Sequence, residues 1–167
     1  MSLLSLTGIA MSIYFFMGGF DPLVTARSTN NVYSIAGKFV HGHRMHQVES
    51  KLFVEIRDLI QNGKLNGDLC LIDYRPDTLE DGEINRFIGI LLGDDVSAIP
   101  AGFKVIELQS HATYKAALSM HPLVMPNSQK VETALRKHAA TYGDSLQNFS
   151  MEIFYPDNSI LVEMFAE

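Results

Sequence analysis

Glu152 is the residue whose setting first asks for chemistry. It stands between Met151 and Ile153, within a run from Phe149 to Tyr155 that reads as a strand. A carboxylate moved from water into apolar surroundings is costly unless it is paired or binds something. Left without a partner, it attracts a lipophilic cation, and aromatic neighbours add cation–π attraction. Tyr33, Phe39, Tyr114, Phe149 and Phe154 are the aromatic residues that could line such a cleft. The competing reading is that strand alternation turns Glu152 toward a helix-packed or solvent face, where a lysine pairs with it.

The other chemically able side chains are less well arranged. His41, His43 and His46 cluster in the segment HGHRMH. A metal would want rigid geometry and further ligands, whereas Gly42 suggests a turn, so the cluster reads as a surface junction and no metal is expected. His111, His121 and Met120 are of the types that ligate haem iron, but nothing in their spacing fixes them, and no cofactor is expected. Cys70 is the single cysteine; it excludes an intramolecular disulfide and reads as an inert core thiol. The sequence has no Gly-rich phosphate loop, Ser-centred nucleophile elbow or metalloprotease motif. Were the chain an enzyme, Glu152 would be its catalytic candidate.

These residues must be positioned by one domain of ordinary size. The chain has 167 residues, 47% hydrophobic and 19% charged, enough to bury a core without staples. Its 13 Lys+Arg against 19 Asp+Glu give a formal charge of −6, which argues against a phosphate-backbone binder. Val32 to His41 predicts a strand. Val48, Leu52, Phe53, Ile56, Leu59 and Ile60 recur at helical spacing, and Gly63 ends that helix. Leu69 to Tyr74 and Ile84 to Leu92 predict two further strands.

The second half repeats this order. Phe103 to Leu108 and Ala112 to Met120 are strand candidates. Asn127 or Ser128 caps a helix whose inner face carries Val131, Leu135, His138, Ala139 and Tyr142. Phe149 to Tyr155 and Ser159 to Phe165 flank a Pro156-Asp157-Asn158 turn. The expected fold is α+β: two strand–helix–strand–strand repeats, about residues 23–95 and 101–167. They would form a curved antiparallel sheet with two helices on one face. The opposite face is expected to curve into the ligand cleft. The acidic stretches Asp77 to Glu83 and Asp94-Asp95 read as solvated loops.

Leu3 to Phe20 is different: eighteen residues without a charge. As a helix they would span ~27 Å, close to the hydrocarbon thickness of a bilayer. Residues 1–22 are therefore expected to be a single-pass transmembrane or signal-anchor helix, joined to a domain over residues 23–167. The nearest cations, Arg27 and Lys38, follow the segment and place that domain on the cytoplasmic side.

Four stretches carry a family resemblance: Lys38-Phe39-Val40-His41-Gly42, Ile72-Asp73-Tyr74-Arg75-Pro76, Ala101-Gly102-Phe103-Lys104-Val105 and Met151-Glu152-Ile153-Phe154. In order and spacing they resemble the GyrI-like domain, the effector-binding domain of multidrug-responsive regulators, which is grouped with the SOUL haem-binding proteins. The likeness runs from about Val24 to the C-terminus. It implies a cleft in which the residue at Glu152 meets cationic or polarised ligands. The sequence departs from the pattern two residues later: Phe154 stands where the family has Tyr. Tyr155, on the opposite strand face, cannot supply the missing hydroxyl. Some relatives in that family are hydrolases of strained-ring genotoxic natural products.

The leading expectation is a membrane-anchored module that binds a small amphipathic or cationic molecule through Glu152, Phe154, Tyr33, Phe39, Tyr114 and Phe149. A hydrolase using the same glutamate and a membrane adaptor for a protein partner are the alternatives. Nucleic acid is not an expected partner.

Overall fold

The computed structural model describes residues 3–43, 45–93 and 99–167, so Asp94 and Asp95 lie outside the described residues. The elements are α1 (Leu3–Phe16), β1 (Thr25–His43), α2 (His46–Gln61), β2 (Gly67–Tyr74) and β3 (Glu83–Leu92). They continue with β4 (Lys104–Leu118), α3 (Ser128–Ala140), β5 (Leu146–Phe154) and β6 (Ile160–Ala166). From β1 onward, strand–helix–strand–strand occurs twice. The strands pair antiparallel in the order β1-β3-β2-β5-β6-β4, and β4 returns to β1, so the curved sheet closes into a barrel.

Two alternating sets of side chains explain the closure. One set, including Ile35, Cys70, Ile72, Phe87, Met151, Ile153 and Phe165, fills the barrel interior. The other faces outward and is covered by helices. Leu52 and Ile56 of α2 pack on Val40, Leu71 and Ile88. Val131, Leu135 and Ala139, spaced four apart on α3, pack on Ala116, Val162 and Met164. Asn127 caps α3, its side chain accepting from the Lys130 N–H at 2.9 Å. Where β1 crosses β3, Gly37 faces Gly89. A Cβ on either would collide with the carbonyl oxygen of Ile88 or Ala36, so glycine permits the close strand approach there.

The barrel corrects the expected placement of the cleft. The face opposite the helices is the packed interior, and a cavity over Glu152 lies on the helix side instead. β1 also starts earlier than its apolar pattern suggests, at Thr25. Its polar segment is held by β4, with Asn31 Nδ2 donating to Thr113 Oγ1 at 2.6 Å.

The membrane expectation for residues 3–20, with its single pass and cytoplasmic domain, is corrected as well. α1 is 14 residues long and ends at Phe16. At about 1.5 Å per residue it covers ~21 Å, short of the ~30 Å hydrocarbon core. Gly18, at φ 80°, takes the left-handed conformation that ends the helix. The Met17 carbonyl then accepts from the His121 N–H at 3.1 Å, tying the turn to the region after β4. Among the described residues, no helix is long and apolar enough to cross a membrane.

Candidate functional site

The cross-strand register defines the site. Glu152 on β5 stands opposite Leu71 on β2 and opposite Val162 on β6. Residues opposite one another share a face. Leu71 belongs to the core beneath α2 and Val162 to the core beneath α3. Glu152 therefore sits on the helix-covered face, at the seam between the two repeats. Met151 and Ile153, its neighbours, point into the barrel. Phe154 shares the outward face and lies edge-on to Phe53 of α2, with ring centroids 5.4 Å apart.

A cavity of about 140 Å³ opens over Glu152. Its β-strand wall is Ser150 and Glu152 of β5, Leu118 of β4, and Ile160, Val162 and Met164 of β6. The rest comes from Met125, Pro126 and Ser128, from Val131 and Glu132 of α3, and from Arg75 just beyond β2. Among the described residues, no aromatic side chain lines it.

A chain of charges spans the same seam. Arg86 of β3 donates to Glu49 of α2 and, from Nε, to Asp73 Oδ1 at 3.0 Å. Arg75 donates from Nε to Asp73 Oδ2 at 2.9 Å and from Nη1 to Glu132 Oε2 at 2.5 Å. Arg136 donates from Nε to Glu132 Oε1 at 3.0 Å and from Nη1 to the Leu146 carbonyl at 3.0 Å. The three arginines thus match the carboxylates of Glu49, Asp73 and Glu132 and tie α2 to α3. Glu152 is the fourth carboxylate of the seam. It takes no hydrogen bond or ion pair from the described residues. Burial pushes its carboxyl above the usual range and the charge of Asp73 adds to this, against the opposing pull of Arg86 and Arg75.

The aromatic candidates are dispersed. Tyr33 points into the barrel, donating to Glu163 Oε2 at 2.8 Å and accepting from Lys115 Nζ at 3.0 Å. Burial pushes its phenol up to about 12. Phe39 lies on the interior face, 49% exposed, against Phe87 and Tyr74. Tyr114 is wholly buried beneath α3 and donates to Asp144. Phe149 packs on Phe165 and Tyr74, and borders a second depression beside Arg75. Of the six candidate residues, the cavity takes Glu152 alone. Arg75 and Glu132, which border it, were not candidates, because a turn arginine and a helix-surface glutamate carry no signal until the fold joins them.

The histidines face separate carboxylates: His41 is 3.3 Å from Glu83, His43 is 3.4 Å from Glu80 and His46 is 3.6 Å from Glu49. Among the described residues, no group of three or more His, Cys, Asp or Glu side chains is placed to hold a metal. His111 lies 3.6 Å from Asp144, and His121 Nδ1 accepts from the Leu123 N–H at 3.3 Å. Cys70 is buried in the barrel, which pushes its thiol up to about 12.

No family model matches the chain, and no curated protein matches it. Several solved structures do. EcmrR, solved in a complex with DNA, is similar at a TM-score of 0.59 and 10% identity; the match covers 95% of this chain and 63% of that one. An uncharacterized conserved protein from Listeria innocua is similar at 0.57 and 11% identity, over 89% and 95% of the two chains. A hydrolase from Listeria innocua is similar at 0.55 and 7% identity, over 93% and 98%. At these identities the likeness is one of fold alone.

Proposed function

We propose that this chain is a binding module that holds a small cationic molecule in the cavity over Glu152. One observation carries the reading: among the described residues, the seam balances three arginines against three carboxylates and leaves Glu152 unmatched on the cavity floor. A desolvated carboxylate without a partner is unfavourable, and a ligand cation relieves that cost. The aliphatic wall of Leu118, Val131, Ile160, Val162 and Met164 supplies apolar contact around the charge. Binding is favoured over hydrolysis because Phe154 carries no hydroxyl and Tyr155 turns to the opposite face, packing at the margin of the interior core. A positioned acid or base needs such a partner.

The test is a thermal-shift panel of small organic cations on the full chain and on Glu152→Gln. The wild-type protein should be stabilised by cations and the variant should not. Equal shifts in both proteins would overturn the proposal.

A further inference from the structure

We propose that the cavity over Glu152 selects a short aliphatic ammonium ion with a single positive charge, over aromatic cations and over diamines. This rests on the cation-binding reading above and narrows it to a ligand class. Three independent features of the cavity lead there.

The first is size. The cavity measures about 140 Å³. Ligand sites for drug-sized molecules are commonly several times larger, roughly 300–1,000 Å³. A butylammonium ion, with four carbons and one nitrogen, fits this space, whereas a cation carrying several aromatic rings does not.

The second is the nature of the wall. The apolar lining is aliphatic or thioether, from Leu118, Met125, Val131, Ile160, Val162 and Met164. The aromatic rings of the domain lie off this wall: Tyr33 and Phe165 in the interior, Tyr114 beneath α3, and Phe149 between the interior and the neighbouring depression beside Arg75. The wall therefore offers dispersion contact to methylene groups and no π-face to a cation or ring.

The third is charge. Arg75 and Arg136 both bond Glu132, the other carboxylate that borders the cavity. Glu152 is left to receive one positive charge. A second ammonium group would lie unpaired in the cavity or would have to displace an arginine from Glu132.

Isothermal titration calorimetry of the full chain tests this with n-butylammonium, n-octylammonium, 1,4-butanediammonium, tetraphenylphosphonium and neutral 1-butanol. Butylammonium should bind one to one, at least about tenfold more tightly than the diamine or the tetraphenyl cation, a tenfold step being a resolvable difference in affinity. Octylammonium should bind no more tightly than butylammonium, although an extended groove would reward its extra methylenes. Glu152→Gln should weaken butylammonium by about tenfold or more and leave 1-butanol unchanged, which shows that the variant cavity is intact. If the diamine, the octyl or the tetraphenyl cation binds as tightly as butylammonium and depends on Glu152, the selectivity is wrong and cation binding stands. If no cation binds the wild-type protein, both readings fall.

Discussion

Glu152 stands directly opposite Leu71 in the β5–β2 ladder, so a carboxylate borders the apolar core beneath α2. Burial holds its carboxyl above the usual range. Between the ordinary value and the raised one, the folded protein keeps a proton that the unfolded chain has released. Stability therefore falls as pH rises through that window, and the deficit persists at neutral pH. Glu152→Gln should stabilise the protein at pH 7 by about 1 kcal/mol, the order for relieving one unsatisfied buried group. It should do little below about pH 4, where the carboxyl is protonated in both states. Melting curves of both proteins at the two pH values check this.

Arg75 separates the charges of the cavity. It is 38% exposed, so Arg75→Leu should cost only about 1 kcal/mol. Arg86 still holds Asp73 and Arg136 still holds Glu132. The balance nevertheless moves by one charge, and the cavity gains a second unmatched carboxylate equivalent. The affinity for 1,4-butanediammonium relative to butylammonium should rise about tenfold. Calorimetry on the variant reads that ratio, and an unchanged ratio would contradict the charge argument.

Inside the barrel, Lys115 Nζ lies 2.9 Å from Glu163, which is 1% exposed, and Tyr33 bonds both. Lys115→Met strips the cation from a buried carboxylate and should cost about 3 kcal/mol. The double variant Lys115→Met/Glu163→Leu should recover most of that loss, since an apolar replacement removes the stranded charge as well. Urea unfolding of the two variants measures the difference. Ligand binding should persist in the double variant, because the triad lies on the face opposite Glu152.

Asn127→Ala removes the cap of α3 and should cost about 1 kcal/mol. The adjoining Ser128 borders the cavity. Hydrogen exchange at the Lys130 amide should accelerate, and cation-induced thermal shifts should shrink with it.

Much of this architecture is written locally in the sequence. The spacing of Leu52 and Ile56, and of Val131, Leu135 and Ala139, marks the helices and their buried faces. Asn127 and Gly63 mark their ends, and Asn158, at φ 66°, marks the β5–β6 turn. Period-two alternation puts Glu152 and Phe154 on one face, but it does not say which face the helices cover. That depends on closure of β1 against β4, a pairing of segments far apart in sequence. The polar run Arg27 to Asn31 hides the start of β1, because its partners, Tyr114 and Thr113, lie on the other repeat. The arginine network was equally illegible: Glu49, Arg86, Glu132 and the neighbouring Asp73 and Arg75 come from four separate places in the chain. The apolar run at the N-terminus misled for a related reason. Its composition suits a bilayer, whereas its length is set by Gly18 and by the Met17–His121 hydrogen bond.

Closure of the strand ladder also limits how another macromolecule can engage the domain. Each of the six strands has a hydrogen-bonded neighbour on both sides. The pairing is not continuous along their whole length: residues 25–34 of β1 meet β4 alone and residues 104–112 of β4 meet β1 alone, so backbone margin open to β-augmentation lies along such stretches. Away from them, recognition of this domain by a protein has to use side chains of its helices and turns.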